Sequence, residues 1–482
     1  MMRVQSWVLA SLLLLLEVLG SRVGASNPGI VARITQKGLN YAGEKGVSAL
    51  EKKLLEITMP DLKGDFKIKH LGNGEYEFKR LKIQSVELKN SKLEPIPGEG
   101  LRASIFNAFI HLEGEGKARK SFVKIKGSFS LKVKDISISV DLRLSSDSSG
   151  RPTVTNKQCS THVAEVELDF SGRIRWLLNL FHDHIESKFR KILEEKICEI
   201  VKKSVASHLQ PYLQTLPVIA KIDQIAAMDY ALQGPPQATS HSLDTPFKGK
   251  FFSQSHQSLF PFEPSAMNFP EDHGLMVYFG ISDCVFNMAS QVYWEADIMN
   301  FTITDNMIPS HFPIRLTTSS FRALVPQLGK LYPDMQMKLQ ISTSSPPVMI
   351  FRPGNVTLTP VMDLQAFVIL PSNIRAPLFL LSMTTTVTAT MNMNANRLIS
   401  SVKAESKLDM ELKHSDIGSI NVPLIQAILN HYALSTLLPA LNENLQVGFP
   451  LPMPENIQLY DLLLQPYQNF LLLGANVQYV KN

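Results

Sequence analysis

The chain has 482 residues, of which 44% are hydrophobic and 19% charged, and three are cysteines. This length is sufficient for two substantial domains, and so few cysteines exclude a disulfide framework as the main source of stability. The charge is uneven, because residues 26–243 carry 33 Lys and Arg against 25 Asp and Glu, whereas residues 244–482 carry 13 against 17. Only the first half therefore has an electrostatic reason to attract an anionic partner.

The first 25 residues have the pattern of an export signal. Arg3 provides a basic start, Val8–Leu16 an apolar core, and Val23–Ala25 a small-residue cleavage pattern. The apolar run is too short to span a membrane, which takes about 20 apolar residues. We expect no later segment to be long and uncharged enough to do so. The sequence therefore predicts a secreted, extracellular protein whose mature chain begins near residue 26.

The first half alternates between helical and extended periodicity. Ile30–Thr58 has apolar residues at helical spacing, and Pro60 ends the pattern. From Phe66 to Leu144 the period changes to two, which predicts a long, twisted antiparallel sheet. Ile174–Leu209 is a second amphipathic pattern, and we expect Pro211 and Pro217 to close it.

The second half repeats this order after a Pro-rich segment. Gly234–Pro246 is the clearest linker, so we predict domains at 26–233 and 251–482, with residues 234–250 between them. A broken helix at Ser320–Tyr332, alternating strands and a helix at Pro423–Leu445 follow, which indicates two copies of one fold. Each apolar sheet face suits either a filled core or an elongated slot for acyl chains.

The stretch Gly114–Lys126 concentrates positive charge beside a predicted turn. The apolar strand 103–112 runs into Gly114-Glu115-Gly116, which predicts a hairpin turn at these residues and a return strand after them. Alternation gives one face of the return strand to Lys120, Phe122, Lys124 and Lys126, and the other to Arg119, Val123 and Ile125, with Lys117 next to the turn. Such a strand suits an anionic headgroup that carries hydrocarbon. A solvated sheet edge, whose lysines discourage edge-to-edge pairing, fits the same pattern.

The cysteines and two sequons predict covalent features of an exported protein. We expect Cys159, in a polar loop, to pair with Cys198 on the long helix, which contributes about 4 kcal/mol in the chain-entropy model. Cys284 is then expected to be a buried small hydrophobe. Asn300 and Asn355 each begin an N-x-T sequence, which predicts exposed glycosylation sites.

Patterns typical of catalysis and of metal binding are missing from the sequence. It has no GxSxG, HExxH or CxxC, and His182 and His184 point about 200° apart on a helix, so we expect neither an enzyme nor a metal site. One aromatic residue, Phe122, lies among the basic residues, where single-stranded nucleic acid needs a stacking series. We therefore expect no nucleic-acid partner, while heparin-like polyanions stay open as an alternative.

Several long blocks resemble the bactericidal/permeability-increasing and lipopolysaccharide-binding protein family. They run over essentially the whole mature chain and include NPGIVARITQKGLNYA (27–42), FKIKHLG (66–72), SSGRPTVT (148–155), LQPYLQTLPV (209–218), RLTTSSF (315–321), ELKHSDIG (411–418) and GFPLPMPENIQLYDLLLQPYQNFLLLGANVQYV (448–480). The resemblance implies an α+β boomerang of two similar domains, each a twisted antiparallel barrel covered by long amphipathic helices, joined by a central antiparallel sheet. It also implies one disulfide in the first domain and a bound phospholipid in each domain, with no other cofactor.

The resemblance further implies a ligand and a site. In the family, lipopolysaccharide binds through lipid A phosphates at a basic tip of the first domain, and the matching positions here are Lys117, Arg119, Lys120 and Lys124. Lys126 and Phe122 lie in the same run. Glu115 and Gly116 stand where relatives have a basic residue and a tryptophan, so the contact is expected to be more purely electrostatic.

Two activities of the family fit the chain. SSGRPTV (148–154) and the C-terminal LGANVQYV look like the carrier branch, which hands lipopolysaccharide to a monocyte co-receptor. The bactericidal branch, which disrupts the Gram-negative outer membrane, looks more cationic in the first half, and we favour the carrier. A plasma phospholipid-transfer protein is the further alternative.

Overall fold

The computed structural model describes residues 26–55, 61–68, 72–120, 123–172, 182–255, 263–271, 274–310, 312, 314–371, 373–394, 397–450 and 457–480. The predicted export signal lies outside these residues, and so does Phe122. The protein has helices and antiparallel sheets in both halves, which confirms the predicted α+β class.

A central antiparallel sheet joins the two halves of the chain. Its strands, from one edge to the other, are β10 (Gln237–Ala238), β11 (Ser242–Phe247), β1 (Ile30–Thr35), β13 (Val277–Ser282), β25 (Phe470–Tyr479) and β24 (Ile457–Tyr467). β1 and β13, one from each half, are neighbours, with Ala32 opposite Phe279. Residues 234–250 thus contribute strands to this sheet, and the division into domains at 233 and 251 stays a prediction.

The prediction of a helix from residue 30 is wrong at its start. Residues 30–35 form β1, and helix α1 begins only at Gln36 and ends at Leu55. The sequence IVARIT is rich in β-branched residues, which fit a pleated surface better than a helix. Pairing with β11 on one side and β13 on the other supplies partners to the backbone of β1.

The first half contains the predicted long antiparallel sheet. Its strands are β2 (Leu62–Ile68), β3 (Gly72–Glu87), β4 (Asn90–Ile96), β5 (Gly100–Lys120), β6 (Val123–Ser146) and β7 (Pro152–Phe170), in the order β2-β3-β5-β6-β7 with β4 also paired to β5. Three short strands, β8 (Ile219–Lys221), β9 (Ala226–Asp229) and β12 (Lys250–Ser253), form a separate sheet. Buried side chains from the inner face of the long sheet make one core with those of the covering helices.

Helix α2 (His182–Ser204) covers this sheet, and the chain stays helical beyond it. A π-helical turn (Val205–Leu209) leads into α3 (Gln210–Gln214), so the prediction is wrong for Pro211, while the helix ends at Gln214, just before Pro217, as predicted. Proline breaks an α-helix because it lacks an N–H and clashes with the carbonyl four residues back. The wider π turn just before Pro211 changes that register and accommodates the ring.

The disulfide Cys159–Cys198 ties β7 to α2, as expected, with a Cα–Cα distance of 5.8 Å. Cys159 lies on strand β7 and not in a loop, because β7 begins already at Pro152 and pairs with β6 along its length. The bond therefore fixes the covering helix to the edge strand of the long sheet. Cys284 is free and buried, as expected, and burial raises the pKa of its thiol to about 11.

The second half has two five-stranded antiparallel sheets. One comprises β14 (Asn300–Ile303), β15 (Met337–Thr343), β18 (Val361–Ile369), β19 (Arg375–Thr384) and β22 (Asp409–Ser415). The other comprises β16 (Met349–Arg352), β17 (Asn355–Leu358), β20 (Val387–Asn394), β21 (Arg397–Ala404) and β23 (Phe449–Pro450). The helices are α4 (Asp283–Glu295), a 3-10 turn (Asp305–Met307), α5 (Thr318–Phe321), α6 (Leu328–Leu331), α7 (Val422–Tyr432), a π turn (Ala433–Leu437) and α8 (Leu438–Val447).

The internal repeat is visible in the order of these elements. In each half a central-sheet strand runs directly into a helix, β1 into α1 and β13 into α4. In each half a long helix passes through a π turn and continues with proline at its second position, Pro211 in α3 and Pro439 in α8. The predicted equivalence of Ser320–Tyr332 with the first helix is wrong, since α4 is the counterpart of α1.

The helical run Val422–Val447 contradicts the expectation that no later segment is apolar enough to span a membrane. By length and composition alone, its 26 residues are enough to cross a membrane, and only 11% of its most apolar 18-residue stretch is buried. The cause is composition, because Glu443 is the only residue of the run that carries a formal charge. In the structure the run packs against other parts of the second half. Asn430 Nδ2 donates a hydrogen bond to Leu408 O, and Asn442 Nδ2 donates one to Val402 O.

Candidate anion-binding surface

The basic hairpin does not turn at Gly114-Glu115-Gly116 as predicted. β5 passes straight through Gly114-Glu115-Gly116 to Lys120, and β6 begins at Val123, so residues 121–122 connect the two strands. Gly114 has a packing role instead of a turning role. A Cβ at this position would lie 2.9 Å from Cε1 of Phe129, which is buried.

This shift of the turn changes which cationic side chains share a face. The register pairs Lys117 with Lys126 and Arg119 with Lys124, and residues directly opposite each other in a sheet point to the same side. These four side chains therefore lie together on the outer face, and the prediction that set Arg119 apart from Lys124 and Lys126 is wrong. Lys120 ends β5 opposite Val123, but its side chain, like Phe122, lies outside the described part of the chain.

Beside the four cations the sheet forms a groove of about 380 Å³, which we call the tip groove. Its lining consists of three rows that cross β2, β3, β5 and β6 in order: Lys63-Glu77-Lys117-Lys126, Gly64-Tyr76-Ala118-Ile125 and Asp65-Glu75-Arg119-Lys124. Because side chains alternate along strands, the first and third rows face outward and the middle row faces the core. Tyr76 and Ala118 of the middle row are buried accordingly.

An aromatic cluster supports the inner side of the sheet next to the groove. The ring of Phe78 lies 4.8 Å from that of Phe129 and 5.1 Å from that of Phe189 on α2, measured between centroids. Phe170, at the end of β7, packs on the same group. β7 ends there, opposite Phe129, so the cationic ends of β5 and β6 extend beyond it.

Two acidic residues near the cationic side chains, Glu77 and Glu115, have partners of their own. Glu77 forms ion pairs with Lys63 at 2.9 Å and with Lys79 at 3.0 Å. Hydrogen bonds from these two lysines lower the pKa of Glu77, and Glu77 in turn raises the pKa of Lys63. Glu115 accepts a hydrogen bond from Arg80 Nη1 at 2.7 Å.

The four cations of β5 and β6 at the tip groove form no ion pair of their own among the described residues. In the part of the chain that the structure describes, no ion pair involves the four outward cations Lys117, Arg119, Lys124 and Lys126. All but Lys117, which is half-buried, are exposed. Such a group of unpaired cations on a rigid sheet can hold a multivalent anion such as a phosphate through charge-assisted hydrogen bonds.

The sequence reasoning missed the half of the groove that β2 and β3 contribute. Lys63, Asp65, Glu75 and Glu77 lie there, and none of them was singled out. The signal was present, because the alternating runs around Phe66 and Glu75 predict neighbouring strands with Gly72-Asn73-Gly74 near their connection. What the sequence could not supply is the order β2-β3-β5-β6, which puts these residues beside the basic run.

The two sequon asparagines lie in the second half, away from the basic run in sequence. Asn300 begins β14 and Asn355 begins β17, and both are exposed. Asn300 Nδ2 donates a hydrogen bond of 2.6 Å to Asp297 Oδ1. Their glycosylation stays a prediction.

The fold and this surface define a class of protein: a two-unit α+β chain built on a shared central sheet, with a groove suited to anions in its first unit. Comparison with known proteins gives the family. Residues 38–212 match the N-terminal domain, and residues 220–479 the C-terminal domain, of the LBP / BPI / CETP family. The chain belongs to this family.

Relatives with known names cover nearly the whole chain. The human lipopolysaccharide-binding protein is 52% identical over 470 residues, 98% of this chain and 97% of the relative. The rat bactericidal permeability-increasing protein is 39% identical over 98% of both chains. A crystal structure of lipopolysaccharide binding protein, 47% identical, superimposes with a TM-score of 0.66 over 95% of this chain and all of that one.

Proposed function

We propose that this chain is an exported carrier that binds bacterial lipopolysaccharide and delivers it to host receptors. The observation that carries the proposal is the set of four cations without ion-pair partners in the described part of the chain, which the β5–β6 register brings together at the tip groove. Similarity of about half the residues to proteins named for lipopolysaccharide binding supports the ligand. The disulfide supports an oxidising, extracellular compartment.

The binding step follows from the placement of charge. The net positive first half attracts the anionic lipid A at long range. Lys117, Arg119, Lys124 and Lys126 then hold its phosphates by charge-assisted hydrogen bonds, and Arg119 can bind one of them with two donors. On their place in the sequence alone, Lys120 and Phe122 are assigned as a further cation and as an aromatic contact for the start of the acyl chains.

The later steps assign roles to the rest of the molecule. The second half, mildly acidic, hands the lipid to the monocyte lipopolysaccharide co-receptor. The apolar interior of each half holds one phospholipid. Phospholipid binding is tested by extracting the purified protein with organic solvent and analysing the extract by mass spectrometry. We expect two phospholipids per chain, and an extract without lipid contradicts this role.

Killing of Gram-negative bacteria through disruption of the outer membrane is the second candidate. The 39% identity to the rat bactericidal protein favours it, although the lipopolysaccharide-binding relatives are more similar. Transfer of phospholipid without preference for lipopolysaccharide is a third activity of the same fold. These candidates differ in what happens after binding, so a transfer assay separates them.

The test compares two double variants in binding and transfer of labelled lipopolysaccharide. Arg119→Glu with Lys124→Glu reverses one cross-strand pair of the tip groove. Lys132→Glu with Lys403→Glu has the same net charge change and serves as the control. Lys132 is exposed on the same strand, eight residues from Lys124 and hence about 27 Å away, more than three Debye lengths at physiological salt.

We expect the tip variant to bind lipopolysaccharide about tenfold more weakly and the control to bind like the wild type. Catalytic transfer to the soluble co-receptor by sub-stoichiometric wild-type protein is the expected sign of a carrier. Tight binding without transfer indicates the bactericidal activity instead. Equal binding by the tip variant and the wild type would falsify the site.

A further inference from the structure

The tip groove has an acidic side as well as a cationic one. The cationic side consists of the four residues on β5 and β6, and the opposite side carries Asp65 on β2 and Glu75 on β3 together with the Lys63–Glu77 ion pair, so its net charge is negative. Both carboxylates are exposed. Unlike Glu77, neither takes part in an ion pair within the described part of the chain. The groove is therefore dipolar across its width.

The sheet register fixes how close the two signs of charge are. Asp65 lies opposite Glu75, and Glu75 lies opposite Arg119, which is itself opposite Lys124. Neighbouring strands are about 4.8 Å apart, so the row changes sign between two adjacent strands. A phosphate and an ammonium group joined by a short linker can span this separation.

A bare phosphate uses only half of this arrangement. Its charge is attracted by Arg119 and Lys124 but repelled by Glu75, which stands next to Arg119. Adjacent like charges such as Asp65 and Glu75 also destabilise each other across strands. An ammonium group placed between these two carboxylates removes both penalties. Selectivity of this kind arises from repulsion of the wrong ligand as much as from attraction of the right one.

We propose that the tip groove prefers phosphate groups that carry a primary amine, such as phosphoethanolamine esters, over unsubstituted phosphates. Arg119 and Lys124 hold the phosphate, while Glu75 and Asp65 hold the ammonium. The inference rests on the proposed function for the phosphate half of the contact. The amine-bearing phosphate can come from substituted lipid A or from the headgroup of a phospholipid.

The experiment measures binding to phosphatidylcholine vesicles that contain either unsubstituted lipid A or lipid A with ethanolamine on its phosphates. Asp65→Asn with Glu75→Gln removes the acidic side without changing side-chain size. Glu44→Gln with Glu405→Gln, two exposed glutamates outside the groove, is the control with the same net charge change. The unfolding temperatures of the wild type and both variants are compared to show that each variant folds. If the acidic-side double variant does not fold, the single variant Glu75→Gln takes its place.

We expect the wild type to prefer the substituted lipid A, and the acidic-side variant to lose this preference through a shift of about fivefold in the ratio of the two dissociation constants. The variant should bind the unsubstituted form more tightly than the wild type does. An unchanged ratio, with both lipids still bound by the wild type, overturns the inference alone. Binding of neither lipid by the wild type overturns the proposed function.

A last pair of measurements identifies the source of the amine. Vesicles of phosphatidylethanolamine without lipid A are compared with vesicles of pure phosphatidylcholine, whose quaternary ammonium cannot donate a hydrogen bond. Binding to the former that the acidic-side variant reduces supports the inference with a phospholipid headgroup as ligand. A response confined to the vesicles with substituted lipid A supports it with lipid A as ligand.

Discussion

Gly114 shows how one residue can be misread when glycine is taken only as a turn former. Its place opposite Phe129 leaves no room for a side chain, since an added Cβ would also lie 3.0 Å from Lys79 O. We expect Gly114→Ala to lower the free energy of unfolding by about 1–3 kcal/mol, because the buried ring or the β3 backbone must move. Denaturant unfolding measures it. Gly98→Ala, where nothing crowds the Cβ but φ is +72°, gives the cost of backbone strain for comparison.

Glu115 weakens the basic end of the sheet less than its charge suggests. Its carboxylate is held by Arg80, so the two charges largely cancel before a ligand arrives. Gly116 lies between Phe78 and Gly127 in the register, in a row that faces the aromatic core. The glycine at position 116 therefore removes a side chain from the core-facing side of the sheet. It leaves the outward-facing cations at the positions that the resemblance implies.

At the scale of elements, the strand pair β5–β6 is fastened at its other end by an ion pair. Arg102 donates to both carboxylate oxygens of Asp141, which lies opposite it and is buried, at 2.7 and 2.9 Å. The hydrogen bond from Arg102 holds the pKa of Asp141 below its ordinary 3.8. Because the folded-state pKa is depressed, the stabilisation is present above the unfolded-state value and is lost as pH falls through the folded-state value.

We expect Asp141→Asn to lower Tm by about 3 °C at pH 7. The difference from the wild type should shrink below pH 4 and vanish once the carboxylate of the wild type is protonated. Calorimetry between pH 7 and pH 2.5 measures both. Asp169→Asn, an exposed carboxylate on β7, is the control and should show no such convergence. A gap that stays constant down to pH 2.5 contradicts the assigned role of the ion pair.

The sequence predicted the type of most elements but not their pairing. Alternation along β3, β5, β6 and β15 was sufficient for strands, and a 3.6-residue period for α2 and α7. The prediction from sequence failed at β1, because six residues with a period of two were assigned to the helix that follows them. It also failed at α4, for which no helix was predicted. It failed again at Pro211, because the π turn that accommodates a proline leaves no signature in apolar spacing. The groove required the strand order, which arises from contacts distant in sequence.

At the scale of the whole molecule, the central sheet joins halves of opposite net charge. β1 and β10 come from the positive half, β13, β24 and β25 from the negative half, and β11 spans the boundary between them, all in one hydrogen-bonded sheet. A rigid connection of this kind gives the molecule a charge dipole along the direction from one half to the other. An anionic membrane or aggregate then attracts the first half and repels the second, which favours encounters that begin at the tip groove.

This dipole predicts that salt acts mainly on association. The Debye length falls from about 30 Å at 0.01 M to about 3 Å at 1 M salt, so the field of the first half reaches the ligand only at low salt. We expect the association rate constant with lipid A vesicles to fall at least about tenfold between these concentrations, while the dissociation rate constant changes much less. Stopped-flow measurement of energy transfer to labelled vesicles gives both constants.

The two double variants show whether the groove or the overall charge is responsible. Reversal of Arg119 and Lys124 should flatten the salt dependence, since it removes the charges nearest to the approaching phosphate. Reversal of Lys132 and Lys403 changes net charge equally and should leave the slope close to that of the wild type. If both variants flatten the salt dependence to the same degree, the ligand responds to net charge alone and the local arrangement of cations does not steer it. If only the Arg119 and Lys124 variant flattens the salt dependence, the encounter begins at the tip groove.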